Sequence, residues 1–198
     1  MATRAGFAAP AVDTANQVLD IAERLAQTRG FNGFSYADIS EEIGLTKATL
    51  HYHFRTKAEM GRRLLARYSE TFQAALADIN GTYSGAPEQL AAYVQLYAEV
   101  LRGHRMCLCG MLAAEYATLA APMQDEIRRF FDMNEEWLAQ VADGGRTAGT
   151  LHFEGPPREI GRLLLGSLEG AMLVARSYDD VERFEASAAR LLQDLRNV

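Results

Sequence analysis

Residues 36–54 read Tyr-Ala-Asp-Ile-Ser-Glu-Glu-Ile-Gly-Leu-Thr-Lys-Ala-Thr-Leu-His-Tyr-His-Phe. Ser35 stands in front of this run as a helix cap, and Ile39 and Ile43 fall on one side of a short helix from Tyr36 to about Ile43. Gly44 supplies the stop. Thr46 then caps a second short helix, which carries Leu50 inward and ends near Phe54. Two short helices around a glycine turn, anchored by Ile39, Ile43, Leu45 and Leu50 with the small Ser40 at the crossing, are what a helix-turn-helix requires. The same pattern also describes two core helices joined by a tight turn in any all-α protein. Three features weigh toward DNA. Lys47 lies in the first turn of the second helix; His51, Tyr52 and His53 form a polar and aromatic surface beyond it; Lys57 sits at the amino end of the next helix, where backbone N–H groups attract phosphate.

Outward from this motif the chain reads as helices. Upstream, Val18, Leu19, Ala22, Leu25 and Ala26 recur at helical spacing between Thr14, which forms a capping box with Gln17, and Gly30. Downstream, Thr56 and Glu59 form a second capping box that opens a long fourth helix carrying Met60, Leu64, Tyr68, Phe72, Leu76 and Ile79. Pro87 begins a fifth helix that ends at Gly103. A sixth is expected from about Met106 to Leu119, and a seventh from Pro122 to Gly144-Gly145. The stretch from Ile160 to Arg176 is apolar on nearly every side, with Gly161, Gly166 and Gly170 interleaved, as in a helix buried all round. Val181 to Leu195 forms the last helix. No segment alternates with period two for long enough to make a strand.

Composition bounds the class. The chain has 198 residues, 48% of them hydrophobic, with a net charge of -6. The charge is uneven: residues 1–67 hold 9 Lys+Arg against 7 Asp+Glu, and the remainder 11 against 19. Both lysines, Lys47 and Lys57, fall in the first part. The only cysteines, Cys107 and Cys109, make no disulfide framework. No apolar run approaches the ~18 residues of a membrane span, and no signal peptide is read at the N-terminus, so a cytoplasmic protein is expected.

The run from Phe34 to Met60, with its Phe54-x-x-Lys57 step into the fourth helix, resembles the N-terminal domain of the TetR/AcrR family of bacterial one-component transcriptional repressors. The likeness continues upstream through helix one and covers roughly the first third of the chain; beyond it only helix number, lengths and overall size agree. The resemblance implies an all-α chain of about nine helices, with a three-helix helix-turn-helix domain over residues 1–57 and a larger ligand-binding and dimerisation bundle over residues 58–198. It implies a dimer that occupies a palindromic DNA operator and is released by a small-molecule effector. The DNA contacts would be Thr46, Lys47, Ala48, Thr49, His51, Tyr52, His53 and Lys57. His51 departs from the pattern, since most relatives carry there the first of two adjacent aromatics.

The C-terminal part carries no enzyme signature of the kinds sought: no Gly-x-Ser-x-Gly, no Gly-rich phosphate loop, no His-Glu-x-x-His and no Glu-x-x-His pair. A helical-bundle enzyme is kept as the alternative class. His104, Cys107 and Cys109 offer three soft ligands but lack an adjacent fourth, so no metal and no cofactor are expected, with metal or thiol sensing through Cys107 and Cys109 as a further alternative. Aromatic and soft side chains concentrate in helices five to seven. Tyr93, Tyr97, Cys107, Cys109, Met111, Glu115, Phe130, Met133 and Trp137 are the expected lining of an effector pocket, each being otherwise an ordinary core residue. The last two long helices are expected to pack against those of a second copy, forming a homodimer.

Overall fold

The computed structural model describes residues 13–196. The first twelve residues, on which the reading of no signal peptide falls, and the last two lie outside the described residues. All regular structure among the described residues is helical: α1 (Thr14–Arg29), α2 (Tyr36–Ile43), α3 (Lys47–His53), α4 (Lys57–Thr82), α5 (Ala86–Arg102), α6 (Leu108–Ala114), a 3-10 turn (Tyr116–Thr118), α7 (Ala121–Thr147), α8 (Pro157–Ser177) and α9 (Val181–Arg196). None of these helices is long and apolar enough to cross a membrane.

Local chemistry sets most boundaries. The Ser35 hydroxyl accepts from the Ala37 N–H while Asp38 reaches back to the Ser35 N–H at 2.8 Å, a reciprocal cap that fixes where α2 begins. Gly44 ends α2 at φ 71°, a left-handed conformation that costs glycine little. Thr46 and Thr56 accept from Thr49 N–H and Glu59 N–H and so start α3 and α4. At α1 the cap is one residue earlier than read: the Asp13 carboxylate accepts from Asn16 N–H.

α4, at about 1.5 Å per residue, is a rod of about 39 Å that leaves the α1–α3 head and runs along α7. Around it α5, α7, α8 and α9 close a bundle in which α7 packs on α4, α5 and α8, and α9 covers α5 and α8. One contiguous apolar core spans α1 to α9. The ring of Phe72 meets Tyr93, Tyr97 and Phe130 edge-on at 5.1–6.1 Å, so α4, α5 and α7 share one aromatic joint. Buried inside it, Asn134 accepts from the Tyr93 hydroxyl at 2.8 Å and donates to the Phe130 carbonyl at 2.8 Å, which leaves the amide satisfied in a dry setting.

Two expectations about elements are corrected. The sixth helix is half as long as read, because Glu115 leaves the helix to accept backbone N–H groups of the head. α7 runs straight through Gly144-Gly145 to Thr147. In the single protomer α8 leaves Leu163, Leu173 and Val174 at least half exposed, at 54%, 56% and 50%, on a helix expected to be buried with the help of a second copy. Its glycines also differ. A Cβ on Gly161 would stand 2.6 Å from the Glu135 carbonyl of α7, whereas Gly166 and Gly170 face open space.

Candidate nucleic-acid interface and effector site

α3 is short, and one residue on it, Leu50, is fully withdrawn into the core. The remainder of its surface is free. Lys47, Ala48, His51 and Tyr52 are exposed, Tyr52 to 84%, and Thr49 and His53 are half-buried. Thr46 and Thr49 hydroxyls lie 3.0 Å apart at the helix start. The Tyr36 hydroxyl donates to the Phe54 carbonyl at 2.9 Å, tying α2 to the end of α3 and fixing the angle at which α3 is presented. Burial, with the Glu59 carboxylate second, pushes that phenol up to about 12. His51 packs edge-on against Tyr36 at 4.8 Å, and its Nδ1 lies 3.3 Å from the Arg55 carbonyl, so an Nδ1–H donates there and Nε2 has no hydrogen-bond partner among the described residues.

The Lys57 ammonium turns inward, donating to the Phe31 and Phe34 carbonyls and sitting 4.5 and 4.2 Å from those two ring centroids. Burial lowers its pKa against the opposing pull of Glu115 and Asp38. A side chain so engaged staples the α1–α2 turn to α4.

The residues expected to line an effector pocket do not gather around one space. Tyr93, Tyr97, Cys107, Cys109 and Phe130 are packed solid in the core, at most 2% exposed. Burial, and next the Glu169 carboxylate, push both thiols well above the usual cysteine range, which withholds the thiolate. The Tyr68 hydroxyl lies 3.9 Å from Cys107 Sγ. Met111 is half-buried and receives an Arg176 N–H at 3.0 Å. Met133 and Trp137 line a separate hollow of about 310 Å3 with Asn80 of α4. Trp137 stacks on Tyr93 at 5.3 Å and donates to Asn80 Oδ1 at 3.1 Å. Glu115 is a structural acceptor, holding the Phe31 N–H at 2.7 Å and the Asn32 N–H at 3.2 Å. His104 is apart from the two cysteines in chemistry, exposed and paired with Asp179 at 2.9 Å. No group of three His, Cys, Asp or Glu among the described residues is arranged to hold a metal ion.

Two features escaped the sequence reading. Glu169 of α8 has a carboxyl end buried beside Gly110 and Cys107, its Oε1 without a hydrogen-bond partner. Desolvation pushes its pKa up to about 7, against a hydrogen bond from Cys107. A hollow of about 440 Å3 lies between α1, α4 and α5 with Asp20, Glu23 and Arg67 among its lining. No sequence signal joins these three charges, since Arg67 meets partners 47 and 44 residues away.

Comparison with known proteins agrees with the architecture. Residues 18–64 match the profile described as bacterial regulatory proteins, tetR family. The chain is 24% identical over 190 residues to the HTH-type transcriptional repressor NemR of Escherichia coli (strain K12), covering 91% of this chain and 94% of that one. The reduced form of E. coli NemR superposes with a TM-score of 0.81 at 24% identity, over 94% of this chain and all of the other. A transcriptional regulator of the TetR family from Agrobacterium tumefaciens superposes with a TM-score of 0.89 at 31% identity, over 92% of this chain and 97% of its own. With the head, the long α4 and the bundle all matched across nearly its whole length, the chain belongs to the TetR family of DNA-binding transcriptional regulators.

Proposed function

We propose that this chain is a repressor that binds a palindromic operator as a homodimer and leaves it when a small molecule binds, residues 1–57 reading DNA and residues 58–198 sensing and dimerising. The observation that carries the reading is the solvent-facing side of α3, where Thr46, Lys47, Ala48, Thr49, His51 and His53 accompany the 84%-exposed Tyr52. An exposed aromatic beside a lysine at the start of a capped helix suits a major groove, where phosphate contacts orient and side chains read base edges. The apolar face of α8 supports the dimer, because Leu163, Leu173 and Val174 leave apolar surface in water that a second copy would cover. Two heads joined that way read two half-sites about one helical turn apart.

The experiment is a shift assay with the DNA flanking the chain's own gene, run alongside sedimentation. A palindrome bound at low salt by a dimer is expected, and Leu173→Glu should give a monomer that binds it far more weakly. Failure to bind any palindrome there, or a monomeric wild type, overturns the reading.

Thiol response is the second reading. It is favoured by the position of Cys107 at the start of α6, 3.9 Å from the Tyr68 hydroxyl of α4, and opposed by the burial that withholds its thiolate. Replacing Cys107 and Cys109 with Ser ends this second reading if the response to inducer is unchanged.

A further inference from the structure

The cleft between α1, α4 and α5 has an apolar interior and a charged edge. Tyr68 and Phe72 of α4 form its aromatic floor, and Leu96 and Val100 of α5 its wall. At the edge, one guanidinium serves two carboxylates: Arg67 Nη1 donates to Asp20 at 2.7 Å and Nη2 to Glu23 at 3.1 Å. The side chains of Arg67 and Glu23 are only 25% and 24% exposed, so their charges are less screened than those of an ordinary surface pair. The edge therefore carries a net charge of one negative unit beside a lining that includes two aromatic side chains, and both features favour a cation with an apolar body.

We propose that this cleft binds a small lipophilic cation, a protonated amine on an apolar body of on the order of a dozen non-hydrogen atoms. The apolar body lies on Tyr68 and Phe72, and the ammonium donates to Glu23 and Asp20. An anion seated on Arg67 would instead have to face two carboxylates already there. The proposal rests on the regulator reading for its consequence: Asp20 and Glu23 belong to α1 in the head and Arg67 to α4. An ammonium that draws the carboxylates away from Arg67 loosens the head from its rod, and so offers a route by which a ligand shifts the two heads from the operator spacing.

Calorimetric titration of the full chain with three compounds sharing one apolar body tests the site: phenylbutylamine, phenylbutanol and phenylbutanoate. The amine is expected to bind at least about tenfold more tightly than the carboxylate, with the alcohol between them. Glu23→Gln should weaken the amine about tenfold, and Arg67→Gln should strengthen it several-fold by freeing both carboxylates, a gain that no purely structural role of Arg67 produces. Ala75→Trp, which fills part of the cleft, should abolish binding of all three while the helical circular dichroism is retained. Carboxylate binding equal to or tighter than amine binding overturns the proposal, as does amine affinity that is indifferent to Glu23→Gln. A chain that binds the amine but no operator keeps this site and loses the regulator reading; one that binds its operator but not the amine does the reverse.

Discussion

Glu169 shows how one buried carboxyl sets a pH dependence. Gly110 admits it, since a Cβ there would stand 2.3 Å from Glu169 Oε2, and the unpartnered Oε1 makes ionisation costly. The folded pKa of about 7 lies above the ordinary 4.5, so the neutral form is favoured in the fold. The resulting penalty is small at pH 5, grows as pH rises toward 7, and is complete above it, at about 3 kcal/mol. Glu169→Gln is therefore expected to raise the urea midpoint at pH 8 much more than at pH 5; equal shifts at both would show an ordinary carboxyl. Lys57 is the second residue whose environment decides its role. Removing an ammonium that serves two carbonyls, Lys57→Ala should cost about 2 kcal/mol of stability. The slope of operator affinity against salt should stay as in the wild type, and a slope shallower by about one unit would put a phosphate back on Lys57.

Among the elements, the glycines of α8 separate two kinds of packing. Gly161 lets α8 approach the backbone of α7, where no side chain can move aside, so Gly161→Ala is expected to cost about 1–3 kcal/mol and lower the melting temperature. Gly170→Ala, with open space around it, should leave the isolated protomer's fold intact or slightly firmer. Thermal melts of a monomeric Leu173→Glu background carrying each change distinguish them. The elements that the sequence revealed are those decided within a few residues: Ser35, Gly44, Thr46 and Thr56 each do locally what their chemistry predicts. What it concealed depended on residues far along the chain. α6 stops early because Glu115 is needed by Phe31 and Asn32, and a run of aromatic and soft residues proved to be packed core because Phe72 plugs the space among Tyr93, Tyr97 and Phe130. The charges of the α1–α4–α5 cleft were invisible for the same reason.

At the scale of the whole molecule, the head is joined to the bundle by more than α4. Met106 N–H donates to the Gln27 carbonyl at 3.2 Å, Arg176 of α8 donates to the Thr28 carbonyl, and Glu115 holds the turn that follows. The end of α1 is thus held by Met106, Glu115 and Arg176 of the bundle, and α4 begins at the same α1–α2 turn through Lys57. A movement among the bundle helices reaches α1 and α4 together. Glu115→Ala is expected to leave effector binding unchanged by calorimetry while raising the effector concentration needed to release the operator; an unchanged release curve would show that α4 alone carries the signal. Trp137 gives the molecule a further property. It is the only tryptophan in the chain, stacked on Tyr93 and bonded to Asn80 near the end of α4, about 35 Å of helix away from Lys57. Ultraviolet light absorbed by Tyr93 is passed to that indole, and all indole emission comes from one place remote from the DNA face. A change in its colour or intensity on adding operator is then an optical record of binding at one end felt at the other.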